Sequence, residues 1–169
     1  MFKIVKYGDP ILERPCAPVT EFNTKELQEL VEGMFETMYA AKGVGLAAPQ
    51  VGISQQLTVI DISAGEDPAQ KLVLINPQIV AKEGLQTGEE GCLSIPGFRE
   101  DVTRAWKTTV RAKNIYGEDF EVTGEELLSR ALQHEIDHLH GILFLQHLSP
   151  LKRDLIKRKI RKLMKAGEW

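Results

Sequence analysis

The run His134-Glu135-Ile136-Asp137-His138 narrows the folds open to this chain more than any other feature. Two histidines four residues apart share one face only if the segment is helical. Leu127, Leu128, Ala131, Leu132 and Leu139 recur at helical spacing around them, so the segment reads as a helix with a strongly apolar face. Thr123 and Glu126 have the spacing of a capping box at its start, and Gly141 is placed to end it. Two imidazoles on one helix face can grip one metal ion, and the glutamate between them can reach its bound water. The competing reading is coincidence, which a third ligand would argue against.

A catalytic metal site needs that third protein ligand and an open position. After His138 the chain continues Leu139-His140-Gly141-Ile142-Leu143-Phe144, so the extension HExxHxxGxxH has Phe144 where its third histidine would stand. Cys92, in Glu90-Gly91-Cys92-Leu93-Ser94, is the sharper candidate. A thiolate is a strong ligand for zinc or ferrous iron, and Gly91 permits close approach. The alternative for Cys92 is a small buried hydrophobe, the common fate of free cysteines.

Elsewhere Asn23 and Glu26 predict a capping box ahead of a helix buried through Leu27, Leu30, Val31, Met34 and Met38, which should fail at Gly43. The following GVGLAAPQVG reads as a rigid loop. Strands are predicted over Leu57–Ile62, Lys71–Ile75 and Gln78–Glu83, then a hairpin around Tyr116-Gly117-Glu118-Asp119. Ser149-Pro150 caps a final helix. Helices frame short hairpin-linked strands without βαβ alternation, which predicts an α+β fold with short antiparallel sheets packed around the HExxH helix. The 169 residues suit one domain, 1–169, with 150–169 its basic C-terminal helix. No apolar run approaches the roughly 18–20 residues of a membrane helix, and the first residues read as neither a secretory signal nor a transit peptide. Two cysteines make no disulfide framework, and a cytoplasmic location is expected.

Three blocks, GVGLAAPQ (43–50), EGCLS (90–94) and QHEIDH (133–138), resemble in wording, order and spacing the three signature motifs of the peptide deformylases, and the basic last helix is similar to the bacterial type 1 branch. The resemblance implies an enzyme that removes formate from the N-formylmethionine of new polypeptides. It implies Cys92, His134 and His138 as ligands of one divalent ion, ferrous iron in the native enzyme, with zinc, nickel or cobalt able to occupy the site. It implies Glu135 as acid/base, and Gln50 with the Leu93 N–H as donors to the formyl oxygen. Val44 and Gly45 match the loop that pairs with the peptide backbone, and Arg99 lies where the family lines its groove. Such donors suit a developing oxyanion, and a departing amine needs the proton that Glu135 can carry.

Other residues carry open alternatives. Leu127 and Ala131 are apolar walls for a methionine pocket or ordinary helix core. Glu90 pairs with Arg99 or meets the substrate amine. Asp137 orients a ligand histidine or is a solvated charge, while His140 and His147 are spare and Cys16 has no role. Lys42 stands where many bacterial members carry an acidic or other polar residue. Two other classes compete with a deformylase: a generic zincin-type peptidase, which needs a third His or Glu, and a closed structural metal site. The net charge of −3 conceals an asymmetry, since Lys152, Arg153, Lys157, Arg158, Lys159, Arg161, Lys162 and Lys165 face only Asp154 and Glu168 in the last twenty residues. An anionic partner is expected for that helix, and for an enzyme of nascent chains the phosphate-rich ribosome is the expected one; neither a membrane nor sequence-specific nucleic acid is.

Overall fold

Three helices and seven strands form in a computed structural model that describes residues 1–169. The helices are α1 (Lys25–Ala40), α2 (Glu126–Leu139) and α3 (Pro150–Lys165). The strands are β1 (Gly45–Ala47), β2 (Leu57–Ile60), β3 (Leu72–Glu83), β4 (Gln86–Gly91), β5 (Arg99–Arg104), β6 (Lys107–Lys113) and β7 (Asp119–Glu125). They pair antiparallel throughout, in a five-stranded sheet of order β1-β2-β3-β6-β7 and a separate β4-β5 hairpin. This is the predicted α+β architecture, with α2 lodged between the sheet and the hairpin.

Helix α1 is capped one residue later than expected. Asn23 sits at φ 55° with its N–H on the Ile115 carbonyl, and Thr24 Oγ1 accepts from the Leu27 N–H instead. The helix ends in a left-handed turn at Lys42 (φ 59°), where the Gly43 N–H returns to the Met38 carbonyl and the Lys42 N–H to Tyr39. Gly43 therefore does not make the turn; a Cβ on it would lie 2.6 Å from the Leu93 side chain. The second expected capping box is absent as well. Thr123 belongs to β7, whose pairing with β6 runs on to Lys107↔Glu125, and α2 starts directly after it without a side-chain cap. Gly141, at φ 75°, does end α2, and Ser149 Oγ caps α3 on the Lys152 N–H.

The two strands expected over 71–83 are one, bent at Asn76 (φ 50°), whose side chain bonds both the N–H and the carbonyl of Val19. The glycine loop is more regular than expected. Gly45–Ala47 forms β1 and Ala48–Val51 a single 3-10 turn. Three apolar clusters hold the elements together. Met34, Met38, Leu46 and Leu57 join α1 to β1 and β2. Leu132 and Ile136 set α2 on Ile60, Leu74 and Val110 of the sheet. Ile156 and Ile160 of α3 pack with Ile95, Val102 and Phe144 beneath the segment carrying Cys92.

Candidate metal centre

Helix α2 is buried along nearly its whole length, yet it carries Ser129, Arg130, Gln133, His134, Glu135 and His138. Buried polar groups cost free energy unless bonded, and their partners explain how the site is fixed. Gln133 accepts from the Ala105 N–H and donates to the Ala105 carbonyl, clasping the turn between β5 and β6. His134 Nδ1 donates to Glu90 Oε2 at 2.7 Å, which leaves Nε2 free to ligate. Glu90, from β4, also receives Arg104 Nε and Nη2 at 3.1 and 2.6 Å and Arg130 Nη1 at 3.0 Å. Burial alone would raise the Glu90 carboxyl, but bonds from His134 and Arg104 outweigh it and hold it well below the usual carboxylate range.

The three expected ligands converge. Cys92 Sγ is 3.4 Å from His138 Nε2, which is 3.2 Å from His134 Nε2, and one donor atom from each lies within 4.8 Å of the others. A thiolate and two imidazoles suit zinc or ferrous iron. Beside them Glu135 is 5% exposed, and its Oε1 has no partner. A buried carboxylate oxygen aimed at nothing is what a metal-bound group would satisfy, so the residues fit a metal. Burial pushes the Glu135 carboxyl up to about 7 against the opposing pull of His134.

Gln50 closes the site from the other side. The Ala47 N–H donates to its Oε1 at 2.9 Å, which turns Nε2 towards Ser94 Oγ at 3.1 Å and Cys92 Sγ at 3.5 Å. The Leu93 N–H gives no hydrogen bond to any backbone carbonyl, and it follows Cys92 directly in the chain. A cavity of about 590 Å³ opens onto the ligands, lined by Val44, Gly45, Arg99, Leu127 and Ala131 among others. Val44 and Gly45 lie at the start of β1, the edge of the sheet, with one side unpaired. Gly45 lets the backbone approach closely there, because a Cβ would overlap the Glu135 carboxylate.

Some expectations are redirected. Arg99 pairs with Glu89, not Glu90, and Glu90 has both oxygens engaged by Arg104, Arg130 and His134. Asp137 meets neither ligand histidine. It bonds Arg104 Nη1 at 2.7 Å and His147 at 2.8 Å, and these partners outweigh burial to lower its carboxyl pKa. The carboxylate bonded to His134 is thus Glu90, with Arg104 joining it to Asp137. His147 is bonded, His140 is exposed, and Cys16 is buried with Ala47 and Leu139. Leu127 is 49% exposed at the cavity wall and Ala131 is buried. Arg104, Arg130, Gln133 and Ser94 were not singled out from sequence, although Gln133 and Ser94 stand inside the quoted motifs.

Residues 1–154 match the family model described as polypeptide deformylase. A peptide deformylase of Acidobacterium capsulatum is 64% identical over 98% of this chain and 97% of its own length. Among solved structures, a peptide deformylase from Legionella pneumophila superposes with a TM-score of 0.91 at 47% identity, over 99% of this chain and 97% of that one. One from Thermus thermophilus gives 0.88 at 41% identity, over 99% and 98%.

Proposed function

The chain belongs to the polypeptide deformylase family and removes the N-formyl group from the N-formylmethionine of newly synthesised polypeptides; from that premise we propose how its residues carry the reaction. The observation that supports the assignment best is the meeting of three features in one cavity: the Cys92/His134/His138 donors, the unpartnered Glu135 oxygen and the Gln50 amide. The family is metal-dependent, and the chain has a Cys/His/His group able to hold a metal. We assign Cys92, His134 and His138 as the ligands and ferrous iron as the resident ion, with zinc, nickel or cobalt as substitutes. A divalent ion there supplies Lewis acidity and makes water a nucleophile near neutral pH.

The remaining chemistry belongs to the chain. Residues 44–45 offer the open edge of β1 to an extended peptide, which adds as a strand. Leu127 and Ala131 wall the methionine side chain, and Arg99, held by Glu89, lies at the groove rim. Gln50 Nε2 and the Leu93 N–H donate to the formyl oxygen as it gains negative charge. Each donor contributes about 3 kcal/mol by analogy with other oxyanion holes. Glu135 accepts the proton of the attacking water and delivers it to the departing amine nitrogen. Glu90 fixes His134 from behind rather than meeting substrate.

No helix is long and apolar enough to cross a membrane. We place the protein in the cytoplasm as a single catalytic domain over 1–169. Helix α3 buries Ile156 and Ile160 and exposes Lys152, Arg158, Lys159, Arg161, Lys162 and Lys165, a face suited to the phosphate-rich ribosome surface. Ribosome co-sedimentation should fall with rising salt and with removal of 151–169.

The deciding assay is formate release from formyl-Met-Ala-Ser, prepared anaerobically with iron and again with nickel. Release is expected with both, and Glu135→Ala should keep fold and metal while losing most turnover. No release by metal-loaded protein would overturn the reading.

A further inference from the structure

Trp169 lies after α3, far in sequence from the motifs, yet it packs against Phe98, a residue of the cavity lining. Its indole Nε1 donates to the Tyr7 carbonyl at 2.8 Å. Its ring stands against Phe98 at 6.1 Å between centroids, tilted by 59°. Phe98 lines the cavity that opens on the ligands, and its one aromatic partner is Trp169. The residue before it, Gly97, is left-handed (φ 86°), and a Cβ there would meet nothing within 4 Å. Nothing packs on Gly97 itself, so Phe98 is anchored by the apolar cluster below it and by the Trp169 ring.

The same contact reaches the metal-bearing loop from behind. The Tyr7 N–H donates to the Ser94 carbonyl at 2.8 Å, and the Val5 N–H to the Gln50 carbonyl at 2.7 Å. Gly8 packs so closely on Met164 that a Cβ would come within 2.6 Å of its methyl carbon. Tyr7, Phe98, Cys92 and Trp169 all pack on the cluster that α3 supplies with Ile156 and Ile160.

We propose that Trp169 is a positioning residue for substrate binding: by joining the Tyr7 backbone to the Phe98 ring, it holds the groove wall in place. Gln50 and Ser94 keep their mutual bond without it, so the loss falls on peptide affinity rather than on chemistry. The inference rests on reading this cavity as the peptide groove.

The test uses the full metal-loaded chain. Trp169→Ala, Trp169→Phe, Phe98→Ala and the double Ala variant are compared for KM and kcat on formyl-Met-Ala-Ser, for Kd of Met-Ala-Ser, and for metal content. Freeing one wall side chain should raise KM and Kd about two- to tenfold in Trp169→Ala, with kcat and metal content kept. Trp169→Phe should lose less, and the double variant should be no worse than Phe98→Ala alone. Unchanged KM and Kd, a parallel fall of kcat and metal content, or multiplying effects in the double variant would each overturn the proposal. A parent that binds the peptide but releases no formate counts against the assigned reaction, and the Kd comparison still decides the role of Trp169.

Discussion

Replacing Glu90 by Gln should damage metal binding before it touches substrate binding. Oε2 accepts from His134 Nδ1 and Arg104 Nη2, and Oε1 from Arg104 Nε and Arg130 Nη1. An amide has one acceptor, so in either orientation its NH2 confronts two donors. Two charge-assisted bonds are lost at about 1.5–3 kcal/mol each. The buried Arg104 keeps only Asp137 as a counter-charge, and Arg130 keeps a carbonyl. The sum agrees with the roughly 3–5 kcal/mol cost of breaking a buried ion pair. His134 Nδ1 then faces either an NH2 or the weaker acceptor of a neutral amide, so its tautomer is held less firmly, which weakens metal affinity by about 10- to 100-fold. Denaturant unfolding of the metal-free protein and a competitive metal titration read the two effects separately. The neighbouring Glu89→Gln is the control: its pair with Arg99 is 60% exposed on both sides, so it should cost less than about 1 kcal/mol and leave metal affinity alone. If Glu90→Gln keeps stability within about 1 kcal/mol and metal affinity within about threefold while KM rises, Glu90 meets substrate and the orienting role is refuted.

Gly45→Ala places a methyl on the Glu135 carboxylate, so kcat should fall about 100-fold with metal content unchanged, measured side by side. Gln50→Glu keeps the acceptor for Ala47 but removes the donor beside Cys92, and kcat should fall about 10²–10³-fold. Tyr39 donates to buried Asp61, and burial together with that bond pushes its hydroxyl up to about 12. Folded Tyr39 thus keeps its proton where the unfolded chain loses it, so its contribution is full below pH 10 and is lost as pH rises towards 12. The Asp61 carboxyl, lowered because bonds from Ser63, Tyr39 and Gly65 outweigh burial, contributes above its ordinary value of 3.8 and loses that contribution in more acid solution. Tyr39→Phe should cost about 1–2 kcal/mol at neutral pH and remove most of the alkaline loss in thermal unfolding.

What could be read from sequence was what local spacing encodes. The i, i+4 histidines and the apolar stripe of α2 specify a helix with one polar face, and the structure forms it. The capping boxes failed because side-chain spacing cannot weigh a tertiary competitor. Thr123 spends its backbone on the ladder with Thr109, and Asn23 is turned left-handed with its N–H on Ile115. Strand β1 was unreadable because three residues carry no periodicity, and its partner β2 lies a dozen positions away.

The mistaken Glu90–Arg99 pairing has a sharper cause, since strand parity alone decides it. Directly opposed residues of an antiparallel pair share a face, and successive residues alternate. In the β4–β5 register Gly91 opposes Arg99 and Glu89 opposes Asp101, while Glu90 opposes Glu100 and Gln86 opposes Arg104. Glu89, Gly91 and Arg99 therefore occupy the outer face, and the Arg99 guanidinium passes over Gly91 to reach Glu89. Glu90 and Arg104 occupy the inner face, towards α2, where Arg130 and His134 wait. The sequence predicts no strand over 86–91, so Glu89 and Glu90 offer no parity to apply there. Once β4 is a strand, the choice between two adjacent glutamates follows from counting: an inward carboxylate must find cations or stay protonated, and the helix and β5 supply them on that face.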